Sequence, residues 1–152
     1  MQESPPEIAR RPELQAMIIR TRAAVQDLPR IFGEAFAELG AYLGEAGVAP
    51  TGRPFAAYHN MDMEDLDLEI GFPVAASLPG RGRIQSGSVP GGQWITAVHI
   101  GPYDQMTRVY DRLLQEIQAK GLVPTGVAYE FYDSPPDTPP EQTRTEVGFP
   151  LK

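Results

Sequence analysis

Apolar positions along this chain change period several times, and the changes mark out short strands and two helices. Residues 17–25 (MIIRTRAAV) and 94–100 (WITAVHI) are apolar, β-branched runs of strand length. Each leads into a stretch of helical period. The first predicted helix, 29–46, opens with Pro29, tolerated in a first helical turn, gathers Phe32, Ala35, Phe36, Leu39 and Leu43 on one face, and ends before Gly47. The second, 103–120, gathers Met106, Val109, Tyr110, Leu113 and Ile117 and stops at Gly121, whose missing Cβ suits a left-handed C-cap. Two strands follow each helix, at 53–59 and 66–73 and then at 127–132 and 144–150. A proline- and glycine-rich passage, 75–92, joins the halves, and RIQSGSV at 83–89 adds a strand within it.

The two halves are one pattern written twice. GVAPTG at Gly47–Gly52 returns as GLVPTG at Gly121–Gly126, a displacement of 74 residues. The same displacement carries Phe32 onto Met106, Phe36 onto Tyr110, Leu39 onto Leu113, Leu43 onto Ile117 and Tyr58 onto Tyr132. It grows to 77 between Glu69 and Glu146, so the later loop holds three extra residues. The expected fold is α+β: duplicated strand-helix-strand-strand modules whose antiparallel sheet carries two helices on one face. Repeat one spans about 6–74, a linker about 75–82, and repeat two about 83–152. A single domain over 1–152 is expected, because a unit of this size with one helix leaves its sheet half covered.

Period-two geometry places the side chains. In LDLEIGF, Leu66, Leu68, Ile70 and Phe72 share the face toward the helices, so Asp67 and Glu69 point away. In RTEVGFP, Val147 and Phe149 pack inward while Arg144 and Glu146 face outward. Gly71 and Gly148 follow on the glutamate face and are expected to leave room there for a ligand saddle. A recessed carboxylate is tolerable when a ligand cation pairs with it and aromatic faces attract the same charge. Candidate walls are Trp94, Tyr103, Tyr110, Tyr129 and Tyr132. Alternation puts Tyr132 with Glu130 on one face and Tyr129 with Phe131 on the other, and only one pair can line the saddle. Tyr132 is favoured, since Tyr58 is its counterpart and would complete a symmetric pair of phenols. Plainer roles stand beside these. Glu146 is also readable as a solvated strand residue, Glu69 as part of a solvated acidic run with Asp62, Glu64, Asp65 and Asp67, Tyr110 as core, Trp94 as a cap on the core edge, and His99 as structural.

Composition narrows the chemistry. The chain has 152 residues, is 41% hydrophobic and contains no cysteine, which excludes disulfides, thiolate zinc sites and a cysteine nucleophile and fits a reducing cytoplasm. No apolar run approaches membrane-spanning length, and the opening MQESPPEIARR lacks the marks of a signal peptide, so a cytoplasmic protein without a membrane segment is expected. A net charge of −7 opposes direct nucleic-acid binding, and RGR at Arg81–Arg83 is too short to reverse it. The acidic run lacks the glycine and spacing of a calcium loop, two histidines without cysteines make no usual zinc site, and no dinucleotide, Walker or nucleophile-elbow signature occurs. No metal and no cofactor are expected. Any enzyme would run on carboxylate and tyrosine, with Glu146 as base and Tyr132 polarising a leaving group.

The runs HIGPYDQMTRVYDRLLQEIQAKGL and YEFYDSPPDTPPEQTRTEVGFPL resemble the GyrI-like small-molecule-binding domain, also found as the effector-binding half of AraC-type and MerR-type regulators. The resemblance runs from about residue 6 onward. It rests on His99-x-Gly101-Pro102-Tyr103, on Tyr132-x-x-x-Pro136, and on Thr145-Glu146 with Pro150. It implies pseudo-twofold modules with a ligand cleft between them, and a glutamate corresponding to Glu146 at the cleft base, answering cationic lipophilic ligands. Ligand-binding residues are thus expected at Glu146, Tyr132, Tyr110, Trp94, Tyr103, Tyr58 and Glu69. Some stand-alone members are similar to hydrolases that open cyclopropane rings, which gives the enzymatic alternative. The gyrase-inhibitor branch gives another, a protein partner. The first half keeps EIGFPV but reads Asp27-Leu28-Pro29 where the second has GPY. Only about a dozen residues precede the first long strand, so a helix-turn-helix of its own is not expected. The oligomeric state stays open.

Overall fold

The computed structural model describes residues 2–135 and 137–152, so Pro136 of the tyrosine-proline loop lies outside the described residues. In chain order the elements are β1 (Gln2–Glu3), β2 (Glu7–Arg11), β3 (Leu14–Ala23), α1 (Leu28–Ala46), β4 (Phe55–Tyr58), β5 (Leu66–Pro73), β6 (Ile84–Val89), β7 (Gly92–Ile100), α2 (Thr107–Ala119), β8 (Ala128–Tyr132) and β9 (Arg144–Pro150). The fold is α+β, with antiparallel strands and one helix in each half, as the pattern predicts. Among the described residues no helix is long and apolar enough to cross a membrane.

Two compact units result. One is Glu13–Pro90, and the other joins the residues up to Pro12 with Gly91–Lys152. The units are cut differently from the sequence repeats. β2 falls in repeat one yet hydrogen-bonds to β7 of repeat two, while β6 falls in repeat two and hydrogen-bonds to β3 of repeat one.

In the earlier unit the strands run β4-β5-β3-β6, all antiparallel. Leu66, Leu68 and Ile70 are buried while Asp67 and Glu69 between them are half-buried, so the alternation is the expected one. α1 covers the leucine face, where Phe36 meets Phe72 edge-on at 5.3 Å. Ala35, Leu39, Tyr42 and Leu43 are its buried residues, and Phe32 and Phe36 are only half covered. In the later unit β7 takes β2 and β1 along one edge and β9 along the other, with β8 beyond β9. α2 buries Val109, Leu113 and Ile117.

The echoed GVAPTG and GLVPTG have a structural cause. Gly47 and Gly121 take left-handed φ values of 70° and 63°, which end each helix without the penalty a Cβ would bring. Val48 N–H then bonds to Leu43 O at 2.9 Å, and Leu122 N–H to Ile117 O at 2.9 Å. Thr51 N–H reaches Pro73 O, and Thr125 N–H reaches Pro150 O, both at 2.9 Å. The same words thus close the same turn in each unit. The second helix is shorter than the periodicity predicts: residues Tyr103–Gln105 form a 3-10 turn, with Gln105 N–H bonded to Pro102 O, before α2 begins at Thr107.

Candidate functional site

Strand register decides which side chains meet. Opposed residues of an antiparallel pair share a face. On β9, Thr145, Val147 and Phe149 face α2, where Phe149 meets the Tyr110 ring edge-on at 6.1 Å. Glu146 and Gly148 face the other way. β8 pairs Tyr132 with Thr145 and Glu130 with Val147, but Tyr129 with Gly148 and Phe131 with Glu146. The expected grouping of Tyr132 with Glu146 therefore fails on parity. Matching Tyr132 to Tyr58 was sound as an echo, yet it carries no information about which β9 residue lies opposite.

The glutamate face is packed rather than open. A Cβ on Gly148 would stand 2.9 Å from Trp94 Cε3 and 3.1 Å from Thr96 Cγ2, and one on Gly71 would stand 2.8 Å from the Phe55 ring. These glycines make room for core rings, not for a ligand. Trp94 is fully buried, 5.0 Å from Tyr129 and 5.9 Å from Phe131 between ring centroids. We expect Gly148→Ala to cost roughly 1–3 kcal/mol by overpacking, read as a lower urea midpoint. Glu146 is held by a two-pronged ion pair: Arg11 Nη1 and Nη2 donate to its carboxylate oxygens at 2.8 and 2.7 Å, and the guanidinium lies 5.8 Å from the Trp94 ring. The Glu146 hydrogen bonds hold the Arg11 pKa above its ordinary value despite partial burial.

The other face carries a different carboxylate. Glu130 sits beneath α2, where the Tyr110 hydroxyl donates to Oε2 at 2.5 Å and the Tyr132 hydroxyl donates to Oε1 at 2.9 Å. The residue is half-buried. Burial pushes its carboxyl above the usual carboxylate range, against the two phenols and His99, which favour the ionised form. Tyr103, 55% exposed, stands edge-on to Tyr132 at 5.9 Å. Its phenol is raised by burial and then by the Glu130 charge; the nearby Thr145 hydroxyl eases it without reaching hydrogen-bond geometry. The turn that carries Tyr103 is anchored by His99 Nε2, 3.0 Å from Pro102 O, and by Gly101 N–H to Thr143 O at 2.8 Å.

Of the predicted site residues, the structure thus brings Tyr110, Tyr132 and Tyr103 together and places Glu146 and Trp94 on the opposite face. Tyr58 and Glu69 belong to the earlier unit. There Tyr58 opposes Leu68 on the helix face, whereas Glu69 points the other way to His59 Nε2 at 2.9 Å. The 74-residue displacement carries Glu130 onto Ala56 and Tyr110 onto Phe36, so the earlier unit has no counterpart of the phenol-capped carboxylate. Two carboxylates of the acidic run are held by arginines: Arg20 forks onto Asp67 at 2.7 and 2.8 Å, and Arg22 onto Asp65 at 3.0 and 2.9 Å. Among the described residues no cluster suited to a metal ion occurs.

Comparison with known proteins identifies the family and the fold. The chain matches the family described as GyrI-like small molecule binding domain over residues 4–152. No curated protein matches its sequence. Among solved structures, the EcmrR C-terminal domain has a TM-score of 0.88 at 21% identity, with 100% of this chain and 99% of that one covered. In the EcmrR–DNA complex the TM-score is 0.86 at 21% identity, and 99% of this chain spans 57% of the EcmrR chain. The SAV2435 protein, solved bound to tetraphenylphosphonium, gives a TM-score of 0.71 at 12% identity, covering 98% and 94%. A hydrolase encoded by lin2189 from Listeria innocua gives 0.68 at 15% identity, covering 97% and 92%. At these identities the structural likenesses speak for the fold. The family match extends over all but the first three residues, and the chain belongs to the GyrI-like small-molecule-binding domain family.

Proposed function

We propose that the later unit binds hydrophobic, aromatic cations, with Glu130 as their counter-charge and the rings of Tyr110, Tyr132 and Tyr103 as walls. One observation carries the reading. Glu146 already has Arg11, whereas among the described residues no lysine or arginine pairs with Glu130, whose hydrogen bonds come from two neutral phenols and which His99 influences only through space. A surrounded carboxylate without a counter-charge is costly, and a ligand cation relieves that cost while drawing on the aromatic faces. The family's small-molecule binding and the tetraphenylphosphonium held by SAV2435 both support this class of ligand.

The hydrolytic alternative with Glu146 and Tyr132 needs both on one reacting atom, and they lie on opposite faces. A hydrolase here would instead use Glu130 and Tyr132. Calorimetric titration with tetraphenylphosphonium, repeated with a strained electrophile and followed by mass spectrometry of the recovered compounds, separates the readings. Saturable binding with everything recovered intact is the expected result; altered product makes the protein an enzyme, and no binding sinks the proposal in favour of a protein partner.

Binding is also expected to depend on pH, with a definite sign. The empty site holds Glu130 protonated up to a raised pKa, and a cation favours the ionised form. Affinity is therefore flat above that pKa and falls about tenfold per pH unit below it, because binding must first expel a proton. Affinity that does not change from pH 8 down to pH 4 would remove Glu130 from the site.

A further inference from the structure

Beside Glu130 the later unit buries two polar atoms that nothing satisfies. Among the described residues, His99 Nδ1 and Thr145 Oγ1 are the fully buried side-chain atoms without a hydrogen-bond partner. Such atoms are rare in folded proteins, and they call for a water or a ligand group. Their placement is specific. Tyr132, Thr145 and His99 face one another across β8, β9 and β7, forming one row on the α2 side of the sheet. With strands about 4.8 Å apart, the row reaches roughly 10 Å from the phenol that caps Glu130. The turn carrying Tyr103 folds back over it, His99 bonding to Pro102 O and the Tyr103 ring meeting Tyr132.

The chemistry of the row is fixed by its partners. Pro102 O only accepts, so His99 Nε2 must carry the proton that bonds to it. With the imidazole neutral, the form this anchor requires, Nδ1 is then a bare acceptor, and the Thr145 hydroxyl opposite it offers a second lone pair. With the Glu130 carboxylate, which the Tyr132 hydroxyl joins to the near end of the row, the unit thus presents acceptors at both ends. A quaternary cation satisfies only the carboxylate; a cation bearing N–H groups can satisfy all three.

We propose that His99 Nδ1 and Thr145 Oγ1 form a second anchor of the Glu130 site, which selects aromatic amidinium or ammonium ligands, rich in N–H donors, over quaternary cations. The inference rests on the Glu130 reading and adds the ligand class to it. A site built to hydrogen-bond a ligand N–H discriminates strongly against the analogue lacking it, because its buried acceptors are then left bare.

The test needs no variant at first. Wild-type protein is titrated calorimetrically with pentamidine, an aromatic bis-amidine, with its fully N-methylated analogue, and with tetraphenylphosphonium. Pentamidine is expected to bind at least about tenfold tighter than the methylated analogue. Thr145→Val, nearly isosteric, and His99→Gln, whose amide N–H can keep the bond to Pro102 O, are each expected to lose about tenfold for pentamidine and less than twofold for tetraphenylphosphonium. Equal affinity for the two amidines overturns the inference, as does a parallel loss for all ligands in both variants. If tetraphenylphosphonium binds and pentamidine shows no preference, the anchor fails and the Glu130 site stands. If no probe binds wild type, both fall together.

Discussion

Glu130→Gln is expected to weaken the binding of tetraphenylphosphonium strongly and, at the same time, to stabilise the protein. Removing one member of a buried charge pair typically costs about 2 kcal/mol or more, a loss of roughly thirtyfold or greater in affinity. The stability effect runs the other way. Burial raises the Glu130 pKa, so the folded chain holds this proton more tightly than the unfolded chain does. Its favourable contribution is present below the unfolded pKa and is lost as pH rises through the folded one. At neutral pH the ionised carboxylate is therefore a burden, and a glutamine of the same shape, still able to pair with Tyr110 and Tyr132, removes it. The unfolding midpoint should rise by about a few degrees at pH 7, and the gap between variant and wild type should close toward pH 4. Glu146→Gln is the control. It weakens the fork of Arg11 and lowers the midpoint, yet leaves affinity unchanged. A Glu130→Gln protein that still binds at wild-type affinity, or a Glu146→Gln protein that does not bind, reverses the assignment of the two carboxylates.

Why the sequence pointed to Glu146, while the structure gathers the phenols around Glu130, is a matter of what repetition records. The echo between GVAPTG and GLVPTG recorded backbone demands, two left-handed helix ends and two identical returns to a strand, and the structure contains both. The echo between EIGFPV and EVGFPL likewise recorded a packing demand, glycines that admit Trp94 and Phe55. A ligand site carries no such demand, and the one proposed here is not repeated: the earlier unit has Ala56 where the later has Glu130. The signal that would have found it was present in YEFY, where Glu130 and Tyr132 share a face by period two, and in Tyr110 on the inward face of its helix. What alternation alone could not supply was the pairing of Tyr132 with Thr145, which comes from the turn and the neighbouring strand. β2 was missed for a related reason. EIARR is too short and too charged to read as a strand, and its role is to complete the edge of β7 from the far end of the chain.

The largest structural effect is expected at Trp94, and it asks whether this ring is core or ligand wall. Trp94 is fully buried, lies against Gly148, meets Tyr129 at 5.0 Å with a 60° tilt, and has Arg11 over its face. Trp94→Ala should cost about 3–5 kcal/mol, since a large ring leaves a cavity that Tyr129, Phe131 and a Cβ-less Gly148 cannot fill. For a chain of this length that lowers the midpoint by roughly 10 °C or more, a large share of the total stability of such a domain. The decisive variant is Trp94→Phe, which keeps an aromatic ring and enough stability to measure binding. As a core residue on the face opposite Glu130, Trp94 should pass its loss entirely into the unfolding midpoint and leave the tetraphenylphosphonium Kd within about twofold of wild type. A wall of the site would behave in the opposite way, since cation–π attraction is strongest for tryptophan and phenylalanine recovers only part of it. An affinity that falls while the midpoint holds would return the site to the Glu146 face, with Arg11 as the group a ligand cation must displace.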